Sequence, residues 1–219
     1  MQISPTGSPS GVDTVDVSAR GRSPGGYAGQ RERRYTHGMP VDSQIQERRG
    51  EAFELDAHLT VIGRKLRPGD SAPPFELECF DANLCAIKIV RLADSDGQVR
   101  LINVVNSLDT PVCDVETQKW EERRAQLPAD VQLMTISMDL PFAQARWCEA
   151  ADVGHQALSA HRNEQFGRDY GVLIKEWRLL QRAVFVVDRA GRVVYADYVP
   201  DQMAEPDYAV ALAAVREIK

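Results

Sequence analysis

The sequence contains no Cys-x-x-Cys pair and only four cysteines among its 219 residues. The missing pair removes the usual zinc-knuckle and thioredoxin-type dithiol readings. The low cysteine count removes a disulfide-stapled secreted scaffold. Long apolar runs are also absent: the longest, Tyr208 to Val215, has eight residues, against the roughly 20 needed to span a bilayer. Positive charge is not in excess either, since 26 Lys plus Arg stand against 32 Asp plus Glu for a net −6. General binding to nucleic acid or to an anionic membrane is therefore disfavoured. Together these absences predict a soluble, cytoplasmic protein built on one ordinary domain, with 43% hydrophobic and 26% charged residues.

What is present is unevenly distributed. Residues 1–50 hold 8 Gly, 4 Pro and 6 Ser, and only 12 of them are hydrophobic. This composition predicts a disordered extension, with residues 51–219 as the folded domain. The extension lacks the apolar stretch of a secretory signal, and its acids dilute a transit-peptide reading. It is expected to be passive, with Arg31, Arg33 and Arg34 as a minor docking option and Met39 as an alternative start.

From about residue 53 the pattern becomes periodic. Phe53, Leu55 and Ala57 alternate with polar residues before Leu59–Ile62, which reads as a short hairpin. Pro73-Pro74 opens an extended segment through Phe80, and strands are expected at 85–92, 99–105, 131–138 and 153–158. Helices are expected at 113–125, 141–150, 163–170 and 206–218, with Pro141 in a first turn where its missing N–H does no harm. Glu116 and Glu122 each lie three residues from Lys119, and Glu121 three from Arg124, spacings that suit a helix. Residues 183–198 read as a hairpin around Asp188–Gly191. Strands alternating with helices predict an α/β architecture: a mixed central sheet flanked by helices, with an N-terminal hairpin.

Cys113 follows a buried strand and opens a helix. Unpaired N–H groups and the positive end of the helix dipole favour a thiolate, the reactive form of cysteine. Thr110, three residues earlier, offers a hydroxyl able to donate to the sulfur or orient an attacking oxygen.

Asn106-Ser-Leu-Asp-Thr-Pro-Val-Cys113, Ser137-Met-Asp-Leu-Pro-Phe-Ala-Gln-Ala-Arg-Trp-Cys148, Arg182-Ala-Val-Phe-Val-Val-Asp188 and Glu205-Pro-Asp-Tyr-Ala209 together resemble the bacterial thiol peroxidases, a branch of the atypical two-cysteine peroxiredoxins. The likeness covers essentially residues 53–219. It implies a thioredoxin-like fold and reduction of hydrogen peroxide and organic hydroperoxides, with electrons from thioredoxin and without cofactor or metal. The family's peroxidatic cysteine falls on Cys113, its resolving cysteine on Cys148, its active-site threonine on Thr110 and its active-site arginine on Arg182. It also implies a homodimer with contacts near the active-site loops. Because a disulfide needs its Cα atoms within about 7 Å, and the two cysteines are expected on different helices, resolution should require local unwinding.

One position departs from the family. Its active-site loop begins with proline seven residues before the peroxidatic cysteine, where this chain has Asn106. Asparagine loosens the backbone and adds an amide that could bond the thiolate or the peroxide. A slow or non-turnover redox sensor on the same fold is the competing expectation. Cys79 and Cys85 are read as structural thiols. His155 and His161 are read as structural or solvent-facing, and the three tryptophans as core or contact residues. The segment from Tyr170 to Trp177 is expected at the pocket mouth.

Overall fold

A computed structural model describes residues 46–218. The expectations for the first 45 residues, including the Arg31, Arg33, Arg34 patch and Met39, lie outside the described residues.

A seven-stranded mixed sheet organises the domain. Its strands are β3 (Glu76–Asp81), β4 (Ala86–Arg91), β5 (Val99–Val104), β6 (Val131–Ser137), β7 (Gln156–Ser159), β9 (Ala183–Val187) and β10 (Val193–Tyr198), in the order β10-β9-β5-β6-β7-β3-β4. β5, β6 and β7 run parallel, while β9 lies antiparallel to β5. A smaller sheet joins β1 (Glu47–Glu54), β2 (Ala57–Ile62) and the two-residue β8 (Leu173–Ile174). The helices are α1 (Pro111–Arg124), α2 (Pro141–Ala150), α3 (Gln165–Asp169) and α4 (Tyr208–Glu217). The mixed sheet, flanking helices and N-terminal hairpin agree with the sequence expectation. The hairpin begins earlier than expected: Glu47–Gly50 is strand, although residues up to 50 read as unfolded, because Glu47, Arg48 and Arg49 give β1 no apolar alternation at its start.

Every residue of β5 is buried, and period-two alternation divides it between two cores. Val99 and Leu101 face Trp120, Leu133, Val184, Val186 and the inner face of α4. Ile102 and Val104 face Met134, Ile136, Tyr170, Phe185 and Val187 on the other side. A strand covered on both faces is the reason its sequence is nearly continuous in aliphatic residues. Two polar members carry their own partners. Arg100 donates to Ser95 Oγ at 2.9 Å and to the Asp188 carbonyl at 3.0 Å. Asn103 donates to Thr135 Oγ1 at 3.3 Å.

Two glycines fix how the smaller sheet meets α3. Gly63 and Gly171 both have positive φ, and a Cβ on either would lie within 2.3 Å of a backbone oxygen of the other segment. Arg48 bridges the same junction, donating to the Gly63 and Gly171 carbonyls at 2.6 and 2.7 Å. The far end of β1 reaches the chain after β10: Phe53 N–H donates to the Pro200 carbonyl and Gln202 N–H to the Phe53 carbonyl, each at 2.8 Å. The hairpin thus holds the segment that carries Gln202, a residue of the site.

Candidate active site

The C-terminal end of β5 feeds the loop Val105–Thr110, and α1 begins directly after it. Pro111 occupies the first helical position, and Thr110 the cap, with extended backbone. Along α1 the buried residues are Cys113, Glu116, Thr117 and Trp120, a spacing of three, four and seven that marks the inward face. The helix therefore presents a thiol and a carboxylate side by side to the core.

Arg182 meets both. It precedes β9, and pairing of Val104 with Ala183 in the antiparallel ladder brings it level with the start of the loop. Its Nη2 lies 3.4 Å from Cys113 Sγ and 3.0 Å from the Gln202 carbonyl, while Nη1 pairs with Glu116 Oε2. Cys113, Glu116 and Arg182 are all fully buried. A buried guanidinium against a sulfur stabilises negative charge there, and Glu116 compensates the cation when the sulfur is a neutral thiol. The three-residue spacing of Glu116 and Lys119 does not become an ion pair: Lys119 pairs with Glu205 at 2.6 Å, and Glu116 faces the core. The inward stripe was the signal that could have revealed it.

Thr110 does not touch the sulfur through its hydrogen. Its hydroxyl donates to the Ser107 carbonyl at 2.8 Å, which leaves its oxygen as an acceptor. The loop is held from the opposite side by Asp139, which follows β6. That carboxylate accepts from Leu108 N–H at 2.8 Å, and from the hydroxyls of Ser107 and Ser137 at 2.7 Å each. Asp139 lies two residues before α2, so one side chain joins the Cys113 loop to the start of the Cys148 helix.

Asn106 is buried, with its amide fully engaged. Nδ2 donates to the Leu180 carbonyl at 2.6 Å and to Gln202 Oε1 at 3.0 Å, and Oδ1 accepts from the Cys113 thiol at 3.8 Å. The expectation that this amide could bond a thiolate is corrected, because its donors are spent elsewhere and an acceptor oxygen faces the sulfur. Gln202 Oε1 also accepts from Arg182 N–H at 3.0 Å. Above this layer opens a cavity of about 380 Å³ lined by Asn106, Thr110, Val112, Trp177, Gln202 and Met203 among others. Trp177 thus stands at the pocket mouth, whereas Tyr170 lies in the core.

Cys148 sits near the C-terminus of α2, half-buried, and all four cysteines are free thiols. Burial first, and then the nearby Glu121 charge, push its thiol up to about 11. Glu121 lies eight residues beyond Cys113, or about 12 Å along the axis of α1. Trp147, the neighbour of Cys148, packs against Val105, Leu108 and Cys113 and donates to Asp114 Oδ1 at 3.1 Å. Glu121 itself binds the segment after α2: its Oε2 is 3.0 Å from His155 N and 2.6 Å from His155 Nδ1. Nε2 of His155 meets Thr135 Oγ1 at 2.8 Å. Both ring nitrogens are occupied, so His155 is structural. Burial lowers its pKa against the pull of Glu121, which keeps the ring neutral, with Nδ1–H toward the carboxylate.

Cys79 packs half-buried beside the main core, while Cys85 is exposed in a turn at φ 48°. Glu116, Asp139 and Gln202 shape the site without having been expected from the sequence. Among the described residues, no three His, Cys, Asp or Glu side chains converge as a metal site, and no helix is long and apolar enough to cross a membrane.

Comparison with known proteins agrees with this geometry. The profile of the AhpC/TSA family matches residues 68–196. A thiol peroxidase of Halalkalibacterium halodurans is 45% identical over 159 residues, covering 72% of this chain and 92% of the relative. A thiol peroxidase of Bacillus subtilis is 43% identical over 161 residues, covering 73% and 93%. Among solved structures, a peroxiredoxin-like protein from Aquifex aeolicus superposes with a TM-score of 0.67 at 34% identity, over 77% of this chain and 98% of that one. A thiol peroxidase from Chromobacterium violaceum gives 0.68 at 23% identity over 76% and 95%, a likeness of fold. The chain belongs to the AhpC/TSA family, on its thiol peroxidase branch.

Proposed function

We propose that the chain is a thiol-dependent peroxidase in which Cys113 is the nucleophile, Arg182 stabilises charge, Thr110 orients the peroxide and Cys148 resolves the oxidised sulfur. The observation that carries this reading is Arg182 Nη2 at 3.4 Å from Cys113 Sγ, in the first turn of a helix and out of water. There the Cys113 thiolate attacks the terminal oxygen of a hydroperoxide, forms the S–O bond and breaks the O–O bond. The leaving oxygen gains negative charge opposite the guanidinium and departs as water or an alcohol.

Cys148 then condenses with the sulfenic acid, forming an intrachain disulfide and releasing water. The two residues must first come within disulfide range, so the first turn of α1 and the end of α2 unwind. Thr117, whose hydroxyl is tied to the Cys113 carbonyl at 2.8 Å, weakens that first turn by drawing an i−4 carbonyl from the helix ladder. A thioredoxin-type dithiol reduces the disulfide. The active unit is a homodimer, for which exposed Leu140 and Phe142 offer apolar surface beside the active-site loop.

The test is turnover of hydrogen peroxide and tert-butyl hydroperoxide with thioredoxin, thioredoxin reductase and NADPH. Peroxide-dependent turnover is expected, with complete loss in Cys113→Ser and loss of the intrachain disulfide in Cys148→Ser. Oxidation of Cys113 no faster than that of free cysteine overturns the reading and leaves the redox-sensor alternative.

A further inference from the structure

We infer that Asn106 is a substrate-binding residue whose Oδ1 accepts the O–H of the hydroperoxide oxygen under attack, and that Gln202 holds it in that orientation. This rests on the peroxidase reading above. Asn106 is 6% exposed, and its amide orientation is set by its partners. A main-chain carbonyl can only accept, so the 2.6 Å contact with Leu180 requires the amide nitrogen on that side and puts the oxygen toward Cys113. While Cys113 is a thiol, that oxygen accepts its S–H at 3.8 Å; once the sulfur is a thiolate, itself an acceptor, the oxygen has lost its donor.

A hydroperoxide supplies the missing donor. The terminal oxygen that sulfur attacks carries a hydrogen in hydrogen peroxide and in alkyl hydroperoxides alike. Attack brings that oxygen to about 3–3.5 Å from the sulfur. Oδ1 stands 3.8 Å from the same sulfur, so an oxygen in contact with Sγ comes within hydrogen-bond reach of it. Arg182 has donors only, which suits the oxygen that departs with negative charge but not the one that keeps its hydrogen.

Asn106 and Gln202 both line the 380 Å³ cavity, whereas the fully buried Cys113 does not, so Asn106, 3.8 Å from the sulfur, stands between the cavity and Sγ. Gln202 is itself fixed: Nε2 donates to the Val199 and Pro200 carbonyls at 2.8 and 3.0 Å. Its Oε1 then receives Asn106 Nδ2 and Arg182 N–H together. One side chain thereby sets the acceptor for the attacked oxygen and the strand end that carries the guanidinium for the departing one.

In the step, the sulfur–oxygen bond forms as the oxygen–oxygen bond breaks. Sulfur loses two electrons and the peroxide gains them. The departing oxygen recovers, through solvent, the proton that the Cys113 thiol released, and leaves as water or alcohol. The attacked oxygen keeps its hydrogen throughout, so the sulfenic O–H of Cys113 inherits the bond to Asn106. That bond holds the sulfenic acid in place and delays its capture by Cys148.

The test measures two reactions of Cys113 in wild type, Asn106→Ala and Gln202→Leu. One is the second-order rate of oxidation by hydrogen peroxide and by tert-butyl hydroperoxide. The other is alkylation by iodoacetamide followed by peptide mass spectrometry, which needs the thiolate but brings no peroxide O–H. Loss of one neutral hydrogen bond predicts roughly a three- to tenfold fall in the peroxide rate for Asn106→Ala. The fall is expected with both peroxides and is smaller for Gln202→Leu. Alkylation should stay within about twofold, and the sulfenic acid, followed by dimedone trapping, should close to the disulfide sooner. Unchanged peroxide rates, or alkylation falling in step with them, overturn the inference. If Asn106→Ala does not fold, Asn106→Pro and Gln202→Leu are judged by the same two rates. Wild-type Cys113 inert to peroxide overturns the peroxidase reading itself, whereas an active wild type with an unchanged Asn106 variant overturns only this inference.

Discussion

Cys113 and Cys148 lie on neighbouring helices in opposite surroundings. Cys113 is fully buried in a first helical turn against a guanidinium, directly after a loop tied down by Asp139. Cys148 is half-buried near a helix end, beside the carboxylate of Glu121, and its thiol is pushed up to about 11. The first sets a guanidinium against the sulfur; the second sets a carboxylate near it and raises the thiol. On the proposed reading, two thiols separated in this way would not compete for peroxide, and Cys148 would become a nucleophile once its helix end leaves Glu121 behind.

The largest break of this contrast is at Arg182. Arg182→Leu should lower the rate of Cys113 oxidation by about 10²–10³, the usual effect of removing one charge-stabilising donor. It should also destabilise the fold by about 3–5 kcal/mol, because Glu116 is left as an uncompensated buried charge. The double variant Arg182→Leu with Glu116→Leu should recover most of the stability and none of the rate. Urea melts and stopped-flow oxidation on the same samples separate the two effects.

That pair also shows what could be read from sequence and what could not. Arg182 and Cys113 stood within recognisable motifs, and β5 and β9 announced themselves as nearly continuous apolar runs. Glu116 shares the 113, 116, 117, 120 spacing of the inward face, but that its buried partner is Arg182, 66 residues away, is written in no local pattern. Gln202 carried no local signal, since its partners lie 96 and 20 residues off. β8 is too short for any period to register, with two residues paired to Val61 and Ile62. Local pattern encodes which face is buried; it does not encode which buried polar groups will meet.

Asp139 offers the next sharpening, since its carboxylate joins the loop of one cysteine to the start of the helix of the other. Asp139→Ala removes acceptors from Leu108 N–H and two hydroxyls, at a cost of about 1–3 kcal/mol for the donors left unsatisfied. Oxidation of Cys113 should slow, while closure of the sulfenic acid to the disulfide speeds up, because the unwinding that closure needs is already partly made. Hydrogen exchange should rise in residues 106–115. A variant that loses stability without moving the two steps in opposite directions assigns Asp139 to the fold alone.

The raised thiol of Cys148 makes a smaller, pH-dependent prediction. If Cys148 attacked from its docked site, the closure rate would keep climbing about tenfold per pH unit to near pH 11, following the thiolate fraction. If the segment releases first, the thiol recovers the ordinary value of about 8.5, and the rate should level off near pH 9. The second profile is expected. A single-turnover series from pH 6 to 10 distinguishes the two, and Glu121→Gln should change the profile only if the docked thiol is the nucleophile.

The smallest effect concerns the latch behind Cys148. Burial holds His155 below its ordinary pKa, while bonds from His155 and Arg124 outweigh burial and hold Glu121 below its own. In both cases the unfolded chain takes up a proton more readily than the folded one, so the contribution is present at neutral pH and is lost on acidification. For His155 the loss begins as pH falls through the ordinary histidine value of about 6.5; for Glu121 it begins near 4. His155→Gln should therefore flatten the melting temperature between pH 7.5 and 5.5, where wild type should drop by about 2–4 °C per kcal/mol lost. An equally steep wild-type and variant curve would place the acid sensitivity outside this latch, and leave Glu121 acting on Cys148 by charge alone.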